Sequence, residues 1–373
     1  MKLVMKKKTR VIVRFFVAIL FTLLLFVGAI LLFMHFYPTF GKTPDSKQRE
    51  VYGQKTKLFD GKQFRNESVQ HILGKRSPDR ERIRPEKQLP AVSPGKLERL
   101  HEDELKFVWF GHSSTLFQMG ERNIFLDPVL SERTSPVDFA GPQRFSELAI
   151  SIDEVPELDV VFISHDHYDH LDYKTIKGID SRVKRYVVPL GIDVCLKGWG
   201  VPEEKIVSLA WWESVELEGI SFTLIPSQHF SGRNPLKMNR TLWGGIYFTD
   251  SFHSVYYSGD TGYFNGFAEV YERLGAPDVM LADSGQYNAG WAGIHMTPWQ
   301  AVQAASDAHA KRFVPVHWGA FVLSNHPWDE PPKGAVEEGL KLGVDVATPR
   351  LGQLVDVDQL DQQATERWWE NYE

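Results

Sequence analysis

Between residues 158 and 170 an apolar run, Leu158-Asp159-Val160-Val161-Phe162-Ile163, passes directly into Ser164-His165-Asp166-His167-Tyr168-Asp169-His170. The run reads as a buried strand. A rigid strand end is where a metal site needs its ligands. His165 and His167 are two apart, so in an extended segment both project to one side. Asp169 and His170 follow at a turn and can aim at a neighbouring point. Four ligand-type side chains in this H-x-H-x-D-H pattern suit zinc, iron or manganese. A charged surface loop is the bland alternative, and the apolar strand feeding the motif argues against it.

Further ligands can arrive from elsewhere. His229 ends the run Phe222 to Gln228, a strand followed by a turn. Asp260 sits in Tyr256-Tyr257-Ser258-Gly259-Asp260-Thr261-Gly262, and His317 follows Phe313-Val314-Pro315-Val316. Alone, each has an ordinary explanation, since Gly-Asp-Thr-Gly is a turn sequence and single histidines beyond strands are common. Their shared position just past a strand brings all of them to one edge of a sheet. Asp127, after another apolar run, is placed to buttress a ligand histidine or to form a turn before Pro128. His112, His295 and Tyr287 are candidates for supporting or substrate-binding roles. Trp211, Trp212, Trp291, Trp299 and Trp328 suit core packing better than lipid contact.

Short β-rich runs begin at about residue 104: Lys106–Phe110, Thr115–Met119, Asn123–Leu126, Leu158–Ile163, Tyr186–Val188, Ser221–Ile225, Gly245–Thr249, Ser254–Tyr257, Val279–Ala282 and Phe313–Val316. Helical stretches are predicted near 172–178, 264–274, 298–310 and 334–342. Thr297, Pro298 and Gln300 supply a capping box for the third. Strands mixed with helices and hairpins predict sheet packed on sheet with helices outside.

The N-terminal part is different. Residues 15–37 are nearly all apolar and long enough to span a bilayer as a helix. The run is too long for a signal-peptide core and is followed by no cleavage-type sequence, so it reads as an uncleaved anchor. Lys2, Lys6, Lys7, Lys8, Arg10 and Arg14 precede it without an acid, which favours a cytoplasmic N-terminus and an extracytoplasmic domain tethered to the cell membrane. The expected organisation is a basic flank (1–14), a transmembrane helix (15–37), a stalk or lead-in (38–103) with turns at Thr43-Pro44, Ser77-Pro78 and Ser93-Pro94, and a folded domain carrying the ligand motifs (104–373). Net charge is −6, and the later domain has no basic tract, so nucleic acid is not an expected partner. One cysteine, Cys195, excludes an internal disulfide or a thiolate cluster.

H-x-H-x-D-H, a distant His, Gly-Asp-Thr and a late His together resemble the metallo-β-lactamase superfamily. Within it, the chain is similar to the N-acylphosphatidylethanolamine-hydrolysing phospholipase D branch. The flanking motifs carry that closer likeness: Trp109-Phe110-Gly111-His112-Ser113-Ser114-Thr115, Leu126-Asp127-Pro128-Val129, Gly141-Pro142-Gln143-Arg144-Phe145, Pro226-Ser227-Gln228-His229, Leu242-Trp243-Gly244 and His317-Trp318-Gly319-Ala320-Phe321. It covers roughly residues 104–345. One departure stands out: the branch's proline-isoleucine-glycine-alanine-tyrosine stretch is here Asp283-Ser284-Gly285-Gln286-Tyr287.

The resemblance implies an αββα sandwich. It implies two divalent metals, zinc before iron or manganese: one on His165, His167 and His229, the other on Asp169, His170 and His317, with Asp260 bridging. Such a centre would attack the phosphorus of a phospholipid or other amphiphilic diester through a shared hydroxide, with Asp169 or a metal-bound water delivering the proton. The other readings are a lactonase or small-ester hydrolase on the same centre, a nuclease, which the charge disfavours, and a non-catalytic membrane scaffold, which the intact ligand set disfavours.

Overall fold

The computed structural model describes residues 2–67 and 82–372. The turn expected at Ser77-Pro78 lies outside them. Helix α1 (Lys2–Phe36) contains the apolar run. Its stretch Ile12–Phe36 has no buried residue and is long and apolar enough to cross a membrane.

Two sheets form the domain. The first contains β1 (Leu105–Trp109), β2 (Thr115–Met119), β3 (Arg122–Leu126), β4 (Leu158–Phe162), β5 (Val183–Pro189), β6 (Ile206–Leu209) and a late strand, Leu354–Asp356. The second runs through β7 (Ser214–Leu217), β8 (Ile220–Ile225), β9 (Gly245–Thr249), β10 (Ser254–Tyr257), β11 (Val279–Asp283) and β12 (Phe313–Val316). The late strand, β13, pairs with β1 at the edge of the first sheet.

Alternation builds the layers. Phe107, Trp109, Phe117, Ile124, Phe162 and Val187 meet Phe222, Leu224, Phe248, Tyr257, Leu281 and Val316 in the core between the sheets. The opposite residues, among them Val108, Phe125, Val161 and Val188, pack under α3 (Tyr173–Ile179) and α4 (Ile192–Gly198). Met280, Tyr256 and Phe313 pack under α5 (Gly266–Leu274), α6 (Pro298–Asp307) and α7 (Glu330–Leu342). Burying each large apolar side chain contributes roughly 1.5–3 kcal/mol. The result is the expected four-layer αββα sandwich. The capping box at the start of α6 forms as the sequence predicts, with Gln300 N–H donating to Thr297 and Pro298 in the first turn.

Strand direction positions the site. β3, β4, β5 and β6 are mutually parallel, as are β10, β11 and β12. The antiparallel pairs β1–β2–β3 and β8–β9–β10 make β1 and β8 point the same way as these. His112, Asp127, His165, His229, Asp260 and His317 each follow the C-terminal end of one of these strands, so one edge of the sandwich receives them all.

The structure departs from the sequence reading in several elements. β6, β7, β13 and α4 were not expected. The first three are short, half-exposed strands with weak patterning. The described part of 38–103, expected as a stalk or lead-in, is a strap packed on the domain. It contains α2 (Ser46–Lys55), and Tyr52, Phe59, Phe64 and Leu89 are buried in the intersheet core. The Phe59 and Phe64 rings meet at a tilt with centroids 4.8 Å apart, and Leu89 N–H donates to Phe145 O. At the C-terminus, α8 (Leu360–Gln363) precedes Trp368, which stacks on Trp318 behind the site.

Candidate metal centre

All seven ligand candidates converge. His165 Nε2 and His229 Nε2 lie 2.9 and 3.3 Å from His167 Nδ1. The outward nitrogens of two of these rings are fixed. His229 Nδ1–H donates to Ile294 O at 3.0 Å. His165 Nδ1–H donates to Ser164 Oγ at 2.9 Å, which in turn donates to Asp127 Oδ2 at 2.6 Å. Ile294 O can only accept, so the tautomer is set and the His229 lone pair turns inward. Burial, reinforced for His165 by its neighbouring imidazoles, pushes His165 and His229 well below the ordinary histidine pKa. Burial lowers His167 as well. Neutral imidazole lone pairs facing one another in a dry site need an electrophile between them.

The other group is built differently. Asp169 Oδ2 accepts from His112 Nε2–H at 2.9 Å and lies 3.4 and 3.5 Å from His170 Nε2 and His317 Nε2. His170 Nδ1–H donates to Asp127 Oδ2 at 2.7 Å. His317 Nδ1–H donates to Asp283 Oδ1 at 3.0 Å. Burial opposes charge on these rings, but the carboxylates win. Asp260, Asp169 and Asp127 hold His170 well above its usual range. Asp260 and Asp283 raise His317 to about 10. Asp169, although buried, is held well below the usual carboxylate range by His170, His112 and His317. This half demands positive charge, and protons on histidine supply it when nothing else does.

Asp260 joins the halves. Its Oδ2 lies 3.2 Å from His170 Nε2, 3.3 Å from His317 Nε2 and 3.7 Å from both His165 Nε2 and His229 Nε2. Asp260 Oδ1, His170 Nε2 and His317 Nε2 are buried without a hydrogen-bond partner. Orphaned polar atoms of this kind are costly. Two such imidazole nitrogens around a carboxylate whose own Oδ1 is also orphaned, beside three converging imidazoles, fit a bound divalent cation in donor type and in charge.

The supporting residues sort as follows. His112, which burial and the neighbouring His317 lower to about 3, is neutral and orients Asp169. Asp127, fully buried, also accepts from Ser164 N–H and Tyr257 Oη, so it buttresses His170. His112, Asp127 and His317 all have positive φ (54°, 39° and 70°), strained backbone of the kind that clusters at functional sites. His112 N–H donates to Trp318 O, and His317 N–H donates to His112 O, a bridge tying the two sheets' ends together. His295 stacks on His317 at 5.1 Å and donates its Nδ1–H to Asp283 Oδ2 at 2.8 Å.

Tyr287 does not reach the cluster. It stacks on His326 at 4.2 Å and lines a cavity of about 350 Å³ with His295, Asn288, Thr297, Asn325 and Glu330. His295 stands between that cavity and the cluster. Among the tryptophans, Trp328 is buried and Trp299 is largely exposed.

Sequence reasoning missed Asp283 as a site residue, although it is buried and holds both His317 and His295. The available signal was its place at the end of an apolar strand, like every other member of the site. Gly285 follows it for a steric reason: a Cβ there would lie 2.2 Å from His317 O. Ser164 and Tyr257, whose hydroxyls converge on Asp127, were missed in the same way.

The family model of the β-lactamase superfamily domain matches residues 122–318, more than half of the chain. The chain belongs to the metallo-β-lactamase superfamily. An uncharacterized protein of Mycobacterium tuberculosis is 39% identical over 277 residues, covering 73% of this chain and 74% of its own length. A Caenorhabditis elegans N-acyl-phosphatidylethanolamine-hydrolyzing phospholipase D is 30% identical over 250 residues, 64% of this chain and 70% of that protein. A metallo hydrolase from Ignicoccus hospitalis shares the fold, with a TM-score of 0.53 and 22% identity over 68% of this chain and 97% of its own. This superfamily member is a metal-dependent hydrolase.

Proposed function

We propose that the protein is a membrane-anchored, two-metal phosphodiesterase of phospholipase D type, acting on phospholipid headgroup esters. The observation that carries the two-metal reading is Asp260, whose one oxygen lies within reach of imidazoles from both halves of the site. His165, His167 and His229 would hold one ion; Asp169, His170 and His317 would hold the other. Two ions there would acidify a water and neutralise charge developing on a phosphoryl oxygen.

The chain's own groups do the rest. Asp127 and Asp283 fix the rings of His170 and His317, and His112 fixes Asp169. Asp169 is deprotonated, its carboxylate held well below the usual range against the pull of burial, so at rest it contributes charge. His295, oriented by Asp283 at the border of the cavity, would meet the leaving oxygen of a substrate held there. The lipid substrate class is supported by the similarity to the nematode phospholipase D and by α1, which fits a membrane anchor. The basic flank before α1 favours a domain on the extracytoplasmic side, and protease digestion of intact cells checks it.

Product analysis by mass spectrometry tests this reading. The metal-loaded, full-length protein is incubated with mixed phospholipids that include N-acylated phosphatidylethanolamine. Phosphatidic acid and a free headgroup alcohol, both lost on chelation, are expected. Lactone or small-ester hydrolysis with every phospholipid left intact would overturn it.

A further inference from the structure

We infer that the loops around Phe139 and Leu236 form a bilayer-contacting face, which seats the metal-ligand loop at the depth of lipid headgroups. The inference rests on the reading of α1 as a membrane anchor. It goes beyond that reading by orienting the domain.

The chain is captured as soon as it leaves α1. Phe40 folds back onto Phe33, inside the apolar run, with ring centroids 5.8 Å apart. Pro38 O accepts from Trp199 Nε1–H at 2.8 Å. Thr39 Oγ1 donates to Pro136 O at 2.7 Å, and Thr39 O accepts from Arg233 Nε–H at 2.7 Å. Cys195 Sγ and Lys237 Nζ hold Lys42 O and Thr43 Oγ1. Two residues, Phe36 to Pro38, span at most about 7 Å. The headgroup layer on each side of the hydrocarbon is roughly that thick. A spanning α1 therefore leaves no stalk, and the surface that grips residues 38–43 sits among headgroups.

That surface carries exposed apolar side chains, and Asp138, beside Phe139, is paired with Lys174 at 2.7 Å. Outside α1, the large apolar side chains most exposed among the described residues are Phe139 (85%), Leu340 (78%) and Leu236 (67%). Phe139 is three residues from Pro136, which binds Thr39. Leu236 and the exposed Met238 flank Lys237, which binds Thr43. Lys42 and Lys237 are exposed in the same patch and suit anionic headgroups.

Arg233 connects this face to the site. Its buried guanidinium, besides holding Thr39 O, donates through Nη1 to Asp166 O at 3.0 Å and Leu171 O at 2.6 Å. Its carbonyl accepts from Tyr168 Oη at 2.7 Å. One guanidinium thus spans the gap between the anchor exit and the loop carrying His165, His167, Asp169 and His170. A substrate taken from the same leaflet reaches the metal loop without leaving the headgroup layer.

The experiment uses the full-length chain in phosphatidylethanolamine–phosphatidylglycerol vesicles. Single variants Phe139→Cys, Leu236→Cys and Leu340→Cys carry an environment-sensitive fluorophore; Cys195 is buried, and the unsubstituted protein controls for its labelling. Leu340, on α7 in the helix layer over the second sheet, is the exposed apolar reference. Alkaline extraction first establishes whether the protein stays in the vesicles; release would defeat the anchor reading itself and this inference with it. In retained protein, labels at 139 and 236 are expected to shift to the blue and lose emission to lipids spin-labelled near the headgroup end of the acyl chain. The label at 340 should respond only to aqueous iodide. Iodide quenching alone at all three positions would overturn the inference with the anchor intact. Shielding of 139 and 236 from both quenchers, which would report a protein partner, would also overturn it.

Discussion

The two halves of the centre hold their imidazoles by different means. In the half made of His165, His167 and His229, the outward nitrogens of His165 and His229 meet neutral acceptors, a serine hydroxyl and a backbone carbonyl. In the half made of Asp169, His170 and His317, each imidazole is backed by a buried carboxylate, Asp127 or Asp283. Carboxylate backing raises ligand basicity and orients the ring. One half is therefore a neutral trap for a cation, and the other is an anionic one that holds protons until a cation displaces them. If each half takes an ion, as proposed, the two would load with unequal strength, with Asp260 common to both.

The largest effect should come from removing what the halves share. Asp260→Asn keeps the shape and removes the charge, and we expect activity to fall by about 10³-fold with metal content reduced in both halves. Steady-state kinetics, metal analysis and circular dichroism together separate this from misfolding. A folded variant with wild-type activity and two metals would show that Asp260 is not the common element.

Asp283→Asn should break the comparison on one side only. It weakens the anionic half by about 10–100-fold in metal affinity or activity, leaving the three-imidazole half loaded. Equal loss from both halves would contradict the assignment. Ser164→Ala probes the hydroxyl that links the halves, since its acceptor Asp127 also backs His170. It removes a hydroxyl that accepts from His165 and donates to Asp127, a contribution of about 1 kcal/mol, so activity should drop by roughly fivefold or less.

The smallest and most discriminating effect is in protons. His165 and His229 are neutral at pH 7, because burial pushes both down. His170 and His317 are protonated in the metal-free protein, the latter with a pKa of about 10. Metal entry into the anionic half must release protons, and entry into the neutral half must not. Calorimetric titrations in buffers of different ionisation enthalpy should show the difference. The same shift has a stability consequence. His317's contribution to the metal-free fold is complete below about 6.5, its unfolded value, and is lost as pH rises through about 10. Thermal melts across that window should decline for metal-free protein and stay flatter for metal-loaded protein.

The sequence made some parts of this centre legible and hid others for definable reasons. His165, His167, Asp169, His170, His229, Asp260 and His317 were visible because ligand-type side chains follow apolar strands, and parallel strands deliver their ends to one edge. Asp283, Ser164 and Tyr257 were not, because a single polar residue at a strand end looks like any turn residue until its partner is known. Tyr257 reaches Asp127 across 130 residues of chain. In the fold, the buried strands were evident from their apolar runs, whereas β7, half-exposed at a sheet edge, carries a weak pattern. The strap through Tyr52, Phe59 and Phe64 was concealed by its charged surroundings. Three scattered aromatics have no period, and only the intersheet groove that they fill makes sense of them.

Metal stoichiometry tests the central claim most directly. Full-length protein stripped of metal, reloaded and freed of excess by gel filtration should retain two divalent ions per chain by mass spectrometric elemental analysis, and the Asp283→Asn variant close to one. A single ion in the wild-type protein, unchanged in that variant, would contradict the account of two unequal halves joined by Asp260.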